Sequence, residues 1–198
     1  MNTSAHGFPS RLSIAIAATM FAIAMPAAAC GLEDPSSISV LRGSLNIAYP
    51  DSLHVGTAIW QAQLAGKLPR DPLALRGELT PEQRGTLRLI RANVLIRQLA
   101  TKLPDAGGAP RPTLAVVLLG PVMWSRFEPK ANGVEASPHT PGPQTGDVVV
   151  VTDLAVLDAI AKGTLTLNEA LSAGLMRLYG PAADVAAART WLTDRTPG

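Results

Sequence analysis

Apolar and polar positions follow three different patterns along the chain. A nearly continuous apolar run covers 12–25, and apolar residues then recur at helical spacing over about 51–65 and 81–103. From residue 114 onward the pattern changes to short apolar or alternating runs that glycine and proline separate. This change predicts an α+β fold, in which N-terminal helices pack with a mostly antiparallel sheet.

The first 29 residues have the three parts of a secretion signal. Arg11 ends a polar start, the apolar run follows, and Ala27-Ala28-Ala29 supplies the small residues of a cleavage site. The run is 14 residues long, whereas a helix needs about 20 apolar residues to cross the hydrocarbon core. We therefore expect residues 1–29 to be a signal peptide that is removed, rather than a permanent anchor, and the mature protein to be exported.

Cys30 is the single cysteine of the chain and directly follows the predicted cleavage site. Lipoprotein signals end in a small-residue box whose last residue is a cysteine that receives lipid, and Ala27 to Cys30 resemble this box. The same residues also suit ordinary cleavage after Ala29, which would leave Cys30 as a free thiol. We expect the lipid, which would place the protein on the periplasmic side of the cell envelope. Because Gly31 rather than Asp follows, the anchor should go to the outer membrane if there is one.

The segment 30–44 is polar and is expected to be a tether, and 45–104 is expected to be a helical N-terminal part. The residues from Leu45 to Tyr49, which precede Pro50, are predicted to form a short strand. Asp51 then caps a helix that ends near Ala65. Four residues at helical spacing predict the buried face of this helix: Leu53, Thr57, Trp60 and Leu64.

The second predicted helix begins at a capping box, in which Thr80 precedes Pro81 and Gln83, and runs to about Leu103. A basic stripe lies between its apolar positions, formed by Arg84, Arg88, Arg91 and Lys102. Such a stripe could contact anionic headgroups or an acidic envelope protein. It is also the ordinary appearance of a solvated helix face, because no aromatic residues interleave with the charges.

The segment 111–193 is predicted to contain a sheet and short helices. One long strand from Leu114 to Phe127 is expected to bend near Gly120-Pro121, and Asn132-Gly133 predicts a hairpin turn. The other predicted elements are a strand at 134–139, a buried strand at 148–151, a helix at 154–161, a helix that opens at the capping box 166–169 and ends at 174, a strand at 175–179 and a terminal helix to 191. We expect 30–198 to form one compact unit.

Residues suited to catalysis or metal binding are not grouped in the sequence. Only His54 and His139 remain after the signal, and neither has a second ligand at helical or turn spacing. Glu128 and Glu135 could face each other across the hairpin, but carboxylates in that position are usually solvated. The mature chain has a net charge of +1, which argues against a nucleic-acid partner. We expect no metal, no cofactor and no enzymatic activity.

From Leu114 onward, the order of strand, turn, strand, apolar strand, two short capped helices, strand and helix resembles a sterol carrier protein type 2 domain. The resemblance covers about 80 residues. The residues that carry it are Val148-Val149-Val150-Val151-Thr152, Leu157, Gly163, Leu165, Ala170, Gly174 and Leu175-Met176-Arg177-Leu178-Tyr179-Gly180. Pro181 follows where the family usually has Asp.

In that family, a twisted sheet covered by helices encloses an apolar tunnel for lipids or fatty acyl groups. The resemblance therefore implies a tunnel lined by Trp124, Leu157, Ile160, Leu171 and Trp191. The same side chains could instead fill a close-packed core, which is the ordinary state of protein interiors.

Two hypotheses about function follow. In the first, the protein is an exported, lipid-anchored envelope protein that binds a small apolar molecule or lipid, which requires an apolar cavity of about 300 Å³ or more. In the second, it is a non-catalytic accessory protein that acts through its surface on an envelope partner. The second hypothesis requires a tight core together with an exposed apolar patch or a charged stripe.

Overall fold

The computed structural model describes residues 35–71, 77–103 and 111–193, and only the backbone of 35–39. Its helices and strands are, in chain order, α1 (Pro35–Ala48), α2 (Ser52–Leu64), α3 (Pro81–Lys102), β1 (Leu114–Leu118), β2 (Met123–Lys130), β3 (Gly133–Pro138), β4 (Val148–Thr152), α4 (Leu154–Ala161), α5 (Leu167–Ser172), β5 (Arg177–Tyr179) and α6 (Ala182–Thr193). The predicted α+β class, with helices before the sheet, is confirmed.

The five strands form one mixed sheet in the order β3-β2-β1-β4-β5. The β1–β2, β2–β3 and β4–β5 pairs are antiparallel, and only β1 and β4 run parallel, with Leu114 opposite Val148 and Leu118 opposite Thr152. Every residue of β1 and of β4 is buried. Burial on both faces explains why these strands are continuous apolar runs rather than alternating ones.

Helices cover both faces of the sheet. On one face, α3, α5 and α6 contribute Leu99, Leu167 and Leu192, which approach Val116 and Val150 of the central strands. On the other face, the α1–α2 hairpin contributes Tyr49, whose ring contacts Trp124 and Tyr179 at centroid distances of 6.1 and 5.4 Å. Tyr179 also donates a 2.8 Å hydrogen bond from its hydroxyl to the carbonyl of Pro50. The helical part and the sheet therefore share one core.

Helix α1 occupies residues that were expected to form a tether, over 30–44, and a short strand, over 45–49. Residues 35–48 form α1, and Leu45 is buried within it, so the predicted strand over 45–49 is wrong. A short apolar run fits a strand and a helix face equally well, and Leu41 and Leu45 are one helical turn apart. Part of the predicted tether, from residue 35 onward, is thus helical.

The buried face of α2 also differs from the predicted one. Its buried residues are Ser52, Val55 and Ile59, whereas Leu53 and Trp60 are largely exposed. The packed side of α2 also contains Gly56, where an added Cβ would lie at an ordinary contact distance of 3.8 Å from Leu119 Cδ1. Both sides of α2 are apolar, and contact with the sheet selects the one that contains Val55 and Ile59.

The segment around Gly120-Pro121 is a turn between two strands rather than a bend in one. Residues 119–122 connect β1 to β2, and Val122 has a positive φ of 48°. The hairpin predicted at Asn132-Gly133 is present, but Ala131 and Asn132 form its turn and Gly133, at φ 118°, begins β3. The capping boxes predicted at Thr80 and Thr166 are confirmed.

Within the described parts of the chain, no helix combines the length and hydrophobicity that a membrane crossing requires.

Two glycine substitutions test the helical assignment of α1. Gly43 lies inside α1 with nothing within 4 Å of an added Cβ, so Gly43→Ala should raise the free energy of unfolding by about 0.5–1 kcal/mol. Gly66 has an equally open environment but a φ of +70°, so Gly66→Ala should lower it by about 1 kcal/mol. Urea denaturation of both variants measures the difference. A loss of stability in Gly43→Ala would contradict the helix.

Candidate functional site: an arginine-lined cleft

A cleft of about 200 Å³ opens at the carboxyl ends of the parallel strands β1 and β4. In open sheets that contain parallel strands, this end is the usual place for a binding crevice. The turn after β1 and the start of α4 form one side of the cleft, and α1, α3 and the segment after α2 form the other. Its lining residues are Arg42, Gln63, Pro69, Arg70, Asp71, Arg88, Arg91, Gly120, Pro121, Asp153, Leu154 and Ala155.

Arg42 attaches α1 to the turn after β1. Its Nε donates to the carbonyl oxygen of Leu119 at 2.8 Å, and a terminal nitrogen donates to the carbonyl of Gly120 at 2.7 Å. Because both acceptors are neutral, these bonds orient the guanidinium without cancelling its positive charge. The turn itself is held close to α4, since a Cβ on Gly120 would lie 2.9 Å from Asp153 Oδ1.

Asp153 is a carboxylate at the N-terminus of α4. It accepts a 2.6 Å hydrogen bond from the Leu154 backbone N–H. Burial raises the pKa of Asp153, and the N–H groups of Leu154 and Gly120, together with the positive charge of Arg42, offset only part of that increase. A carboxyl group with a raised pKa beside an arginine is the most perturbed group in the cleft.

Helix α3 contributes Arg88 and Arg91. Arg88 Nε donates a 2.8 Å hydrogen bond to Asp71 Oδ2. Arg91 lies 2.9 Å from Asp158 Oδ1, and Lys162 lies 2.7 Å from Asp158 Oδ2. Burial would raise the pKa of Asp158, but the hydrogen bonds from Lys162 and Arg91 outweigh it and lower the pKa.

Arg70 is the least constrained cation of the cleft. It is exposed, and its guanidinium makes no ion pair with any residue that the structure describes. The lining therefore contains four arginines and only the two carboxylates of Asp71 and Asp153. Guanidinium groups present planar pairs of N–H donors that match the oxygens of carboxylates and phosphates. The arrangement can bind a small anion, or an anionic group of a larger molecule.

Other chemistry is not supported by the described residues. They contain no group of three or more metal-binding side chains close enough to hold an ion. Glu128 and Glu135 are opposite each other in the hairpin, as expected, with Lys130 between them at 2.6 and 3.4 Å. The Lys130 hydrogen bond lowers the pKa of Glu128, which is the opposite of what a general acid near neutral pH requires.

The structure brings together two of the four residues of the predicted basic stripe. Arg88 and Arg91 line the cleft, whereas Arg84 lies a turn earlier on α3 and Lys102 is exposed in the last turn. Lys102 is suited to interact with the helix dipole there.

The five residues predicted to line a tunnel pack in different places. Leu157, Ile160, Leu171 and Trp191 are buried in the helices α4, α5 and α6. Trp124 is half-buried against Tyr49, on the opposite face of the sheet from α5 and α6. None of the five lines the small apolar void beneath the sheet, whose volume is about 10 Å³.

Several residues of the cleft were not identified from the sequence. Arg42 and Arg70 lie in segments without a site signal, and no functional role was predicted for Asp153. A carboxylate directly after a buried strand was the one available signal, because such a residue lies at the edge of the sheet where ligands bind. The predicted lipidation site, Cys30, lies outside the described residues.

Comparison with known proteins gives no match: no protein-family model, no curated protein and no solved structure is significantly similar to this chain. The resemblance to sterol carrier domains therefore stays a prediction.

Asp153 should give the protein a specific dependence of stability on pH. Because its folded pKa is raised above the ordinary value of 3.8, the folded state holds the proton more tightly than the unfolded chain. Its contribution to stability is therefore lost as the pH rises from about 3.8 through the raised pKa. Asp153→Asn lacks this titration.

The measurement is the free energy of unfolding of both proteins across that pH range. The wild-type value minus the Asp153→Asn value should decrease with rising pH, while the opposite contribution of Asp158 cancels because both proteins have it. A difference that stays constant, or that increases with pH, would show that Asp153 is not perturbed by burial.

Proposed function

We propose that this chain is an exported, lipid-anchored envelope protein without catalytic activity, whose arginine-lined cleft binds a carboxylate or phosphate group. The group belongs to a small ligand or to an envelope partner. The observation that carries the proposal is the convergence of Arg42, Arg70, Arg88 and Arg91 on one cleft.

The charge distribution supports this function. The mature chain is nearly neutral at a net charge of +1, whereas the lining of the cleft contains twice as many arginines as carboxylates. Arg42 donates only to neutral carbonyls, and Arg70 has no ion-pair partner among the described residues. These two cations remain available to an anion, and Arg88, which pairs with Asp71, lies beside them in the same cleft.

The interior of the described fold favours a surface site over an apolar carrier. The void beneath the sheet, at about 10 Å³, has space for about one water molecule. A carrier of a fatty acyl chain or sterol needs a cavity of about 300 Å³ or more. Binding of a small apolar molecule or lipid in a tunnel would require α5 and α6 to separate from the sheet.

The export and anchoring part of the proposal is supported by the sequence of residues 1–31. A 14-residue apolar run, three alanines and a single cysteine follow one another in the order of a lipoprotein signal. Mass spectrometry of the mature N-terminus should find a lipid on Cys30. An unmodified thiol at the peptide mass, in protein recovered from the soluble periplasmic fraction, would refute the anchor.

Binding of anions to the cleft is tested with inorganic phosphate and citrate at low ionic strength, by titration calorimetry. Arg70→Gln and Arg88→Gln should each weaken binding about 5- to 10-fold, because each removes a charge-assisted hydrogen bond worth roughly 1–1.5 kcal/mol. Arg97→Gln is the matched control, since Arg97 is exposed on α3 but does not line the cleft.

Comparison of the two anions separates phosphate from carboxylate recognition. An equal effect of all three variants would indicate general surface attraction, which salt screens, rather than a site. The absence of binding by either anion to the wild-type protein would refute the proposed function.

A further inference from the structure

The α1–α2 hairpin exposes large apolar side chains on the side that faces away from the sheet. Ile47 is 85% exposed, Val40 68% and Trp60 59%, and Leu64 and Leu53 are 55% and 45% exposed. We call these five residues the outer face of the hairpin. Exposed apolar residues that occur singly are normal, but a group of this size on one layer indicates an interaction surface.

The spacing of the residues places them together on the outside. Leu45 of α1 and Val55 and Ile59 of α2 are buried. At about 100° per residue, Val40 and Ile47 lie roughly opposite Leu45. By the same rule, the exposed residues of α2 lie more than a quarter turn from Val55 and Ile59. Both helices therefore present apolar side chains away from the core.

The hairpin also has almost no charge. The 14 residues of α1 include Arg42 alone, and the 13 residues of α2 include only His54 as a titratable side chain. Arg42 is directed to the cleft, where it donates to Leu119 and Gly120. An exposed helical layer without lysine, arginine, aspartate or glutamate on its outer side is suited to an apolar environment rather than to water.

The predicted lipid anchor on Cys30 indicates that this apolar environment is the lipid bilayer. Four residues separate Cys30 from Pro35, the first residue of α1, and the five peptide units span at most about 18 Å. A lipid on Cys30 would therefore hold α1 within the thickness of the bilayer interface. We propose that the outer face of the α1–α2 hairpin lies on the surface of the lipid bilayer to which the protein is anchored. This inference rests on the lipid anchor of the proposed function.

The physical properties of the outer face fit a lipid surface. Tryptophan is enriched at membrane interfaces because its ring is apolar and its N–H is polar, and Trp60 occupies the middle of α2. Because the outer face is uncharged, its contact with lipid should not depend on salt, in contrast to anion binding at the arginines.

A matched control lies on α3. Ile90 is 55% exposed, the same fraction as Leu64, but α3 packs on the opposite face of the sheet from the hairpin. Leu64→Ser and Ile90→Ser thus remove similar apolar area from two sides of the molecule. Neither side chain belongs to the core, so both variants should melt at the wild-type temperature.

The experiment uses the mature chain, residues 30–198, coupled through Cys30 to a maleimide phospholipid in phosphatidylcholine vesicles that contain brominated lipid. Trp60 fluorescence should be quenched, and the quenching should disappear in Trp60→Phe, which leaves Trp124 and Trp191 as emitters. Without coupling, the wild-type chain should bind the vesicles weakly. Leu64→Ser should reduce this partitioning at least fivefold, whereas Ile90→Ser should leave it unchanged at both low and high salt.

Three results would overturn the inference. The first is the absence of Trp60 quenching in the coupled protein, and the second is an equal loss of binding in both serine variants. The third is self-association without vesicles that Leu64→Ser abolishes, which would identify a second copy of the chain as the occupant. Because the lipid is attached chemically, none of these results depends on whether the cell modifies Cys30. Failure of the anchor and failure of the docking surface are therefore distinguishable.

Discussion

Burial of the parallel strands β1 and β4 on both faces is the constraint on which the rest of the structure depends. The two strands form five paired positions, and none of their ten residues is exposed. This burial requires a helical layer above the sheet and another below it, because uncovered apolar strand faces are unstable in water. The α1–α2 hairpin supplies one layer, and α3 to α6 supply the other. The cleft lies where these layers meet, at the shared carboxyl ends of the two strands.

The charged cleft is thus separated in space from the apolar core and from the apolar outer face of the hairpin. The sheet and its helices enclose a core that leaves about 10 Å³ of free apolar volume beneath the sheet, so the interior residues serve to stabilise the fold. Arginines lie together at the edge of the sheet, where backbone carbonyls orient Arg42 and the half-buried Asp153 lies nearby. Only the side of α2 that contains Val55 and Ile59 packs on the sheet, so the apolar side with Leu53 and Trp60 stays exposed.

Helix starts could be predicted from the sequence, whereas the side of a helix that packs on the sheet could not. Thr80 and Thr166 form capping boxes within four residues of chain, so their helices could be assigned without knowledge of the fold. Trp60 was assigned to the core because α2 has two apolar faces, and only contact with the sheet selects the one with Val55. Arg42 and Arg88 are 46 positions apart in the sequence, and no pattern in a single sequence indicates that they line one cleft. The predicted tunnel followed only from the resemblance to sterol carrier domains, because the sequence alone does not show whether buried apolar side chains line a cavity or fill a core.

The central claim is that the cleft at the end of β1 and β4 is an anion site, and nitrogen-15 NMR of the arginine Nε–H groups tests it most directly. During titration of the mature protein with inorganic phosphate, the signals of Arg70 and Arg88 should shift together and saturate with a single dissociation constant. Arg126 and Arg177 form ion pairs with Asp147 and Asp51 outside the cleft, so their signals should stay in place. Equal, non-saturating shifts of all arginine signals would contradict the claim.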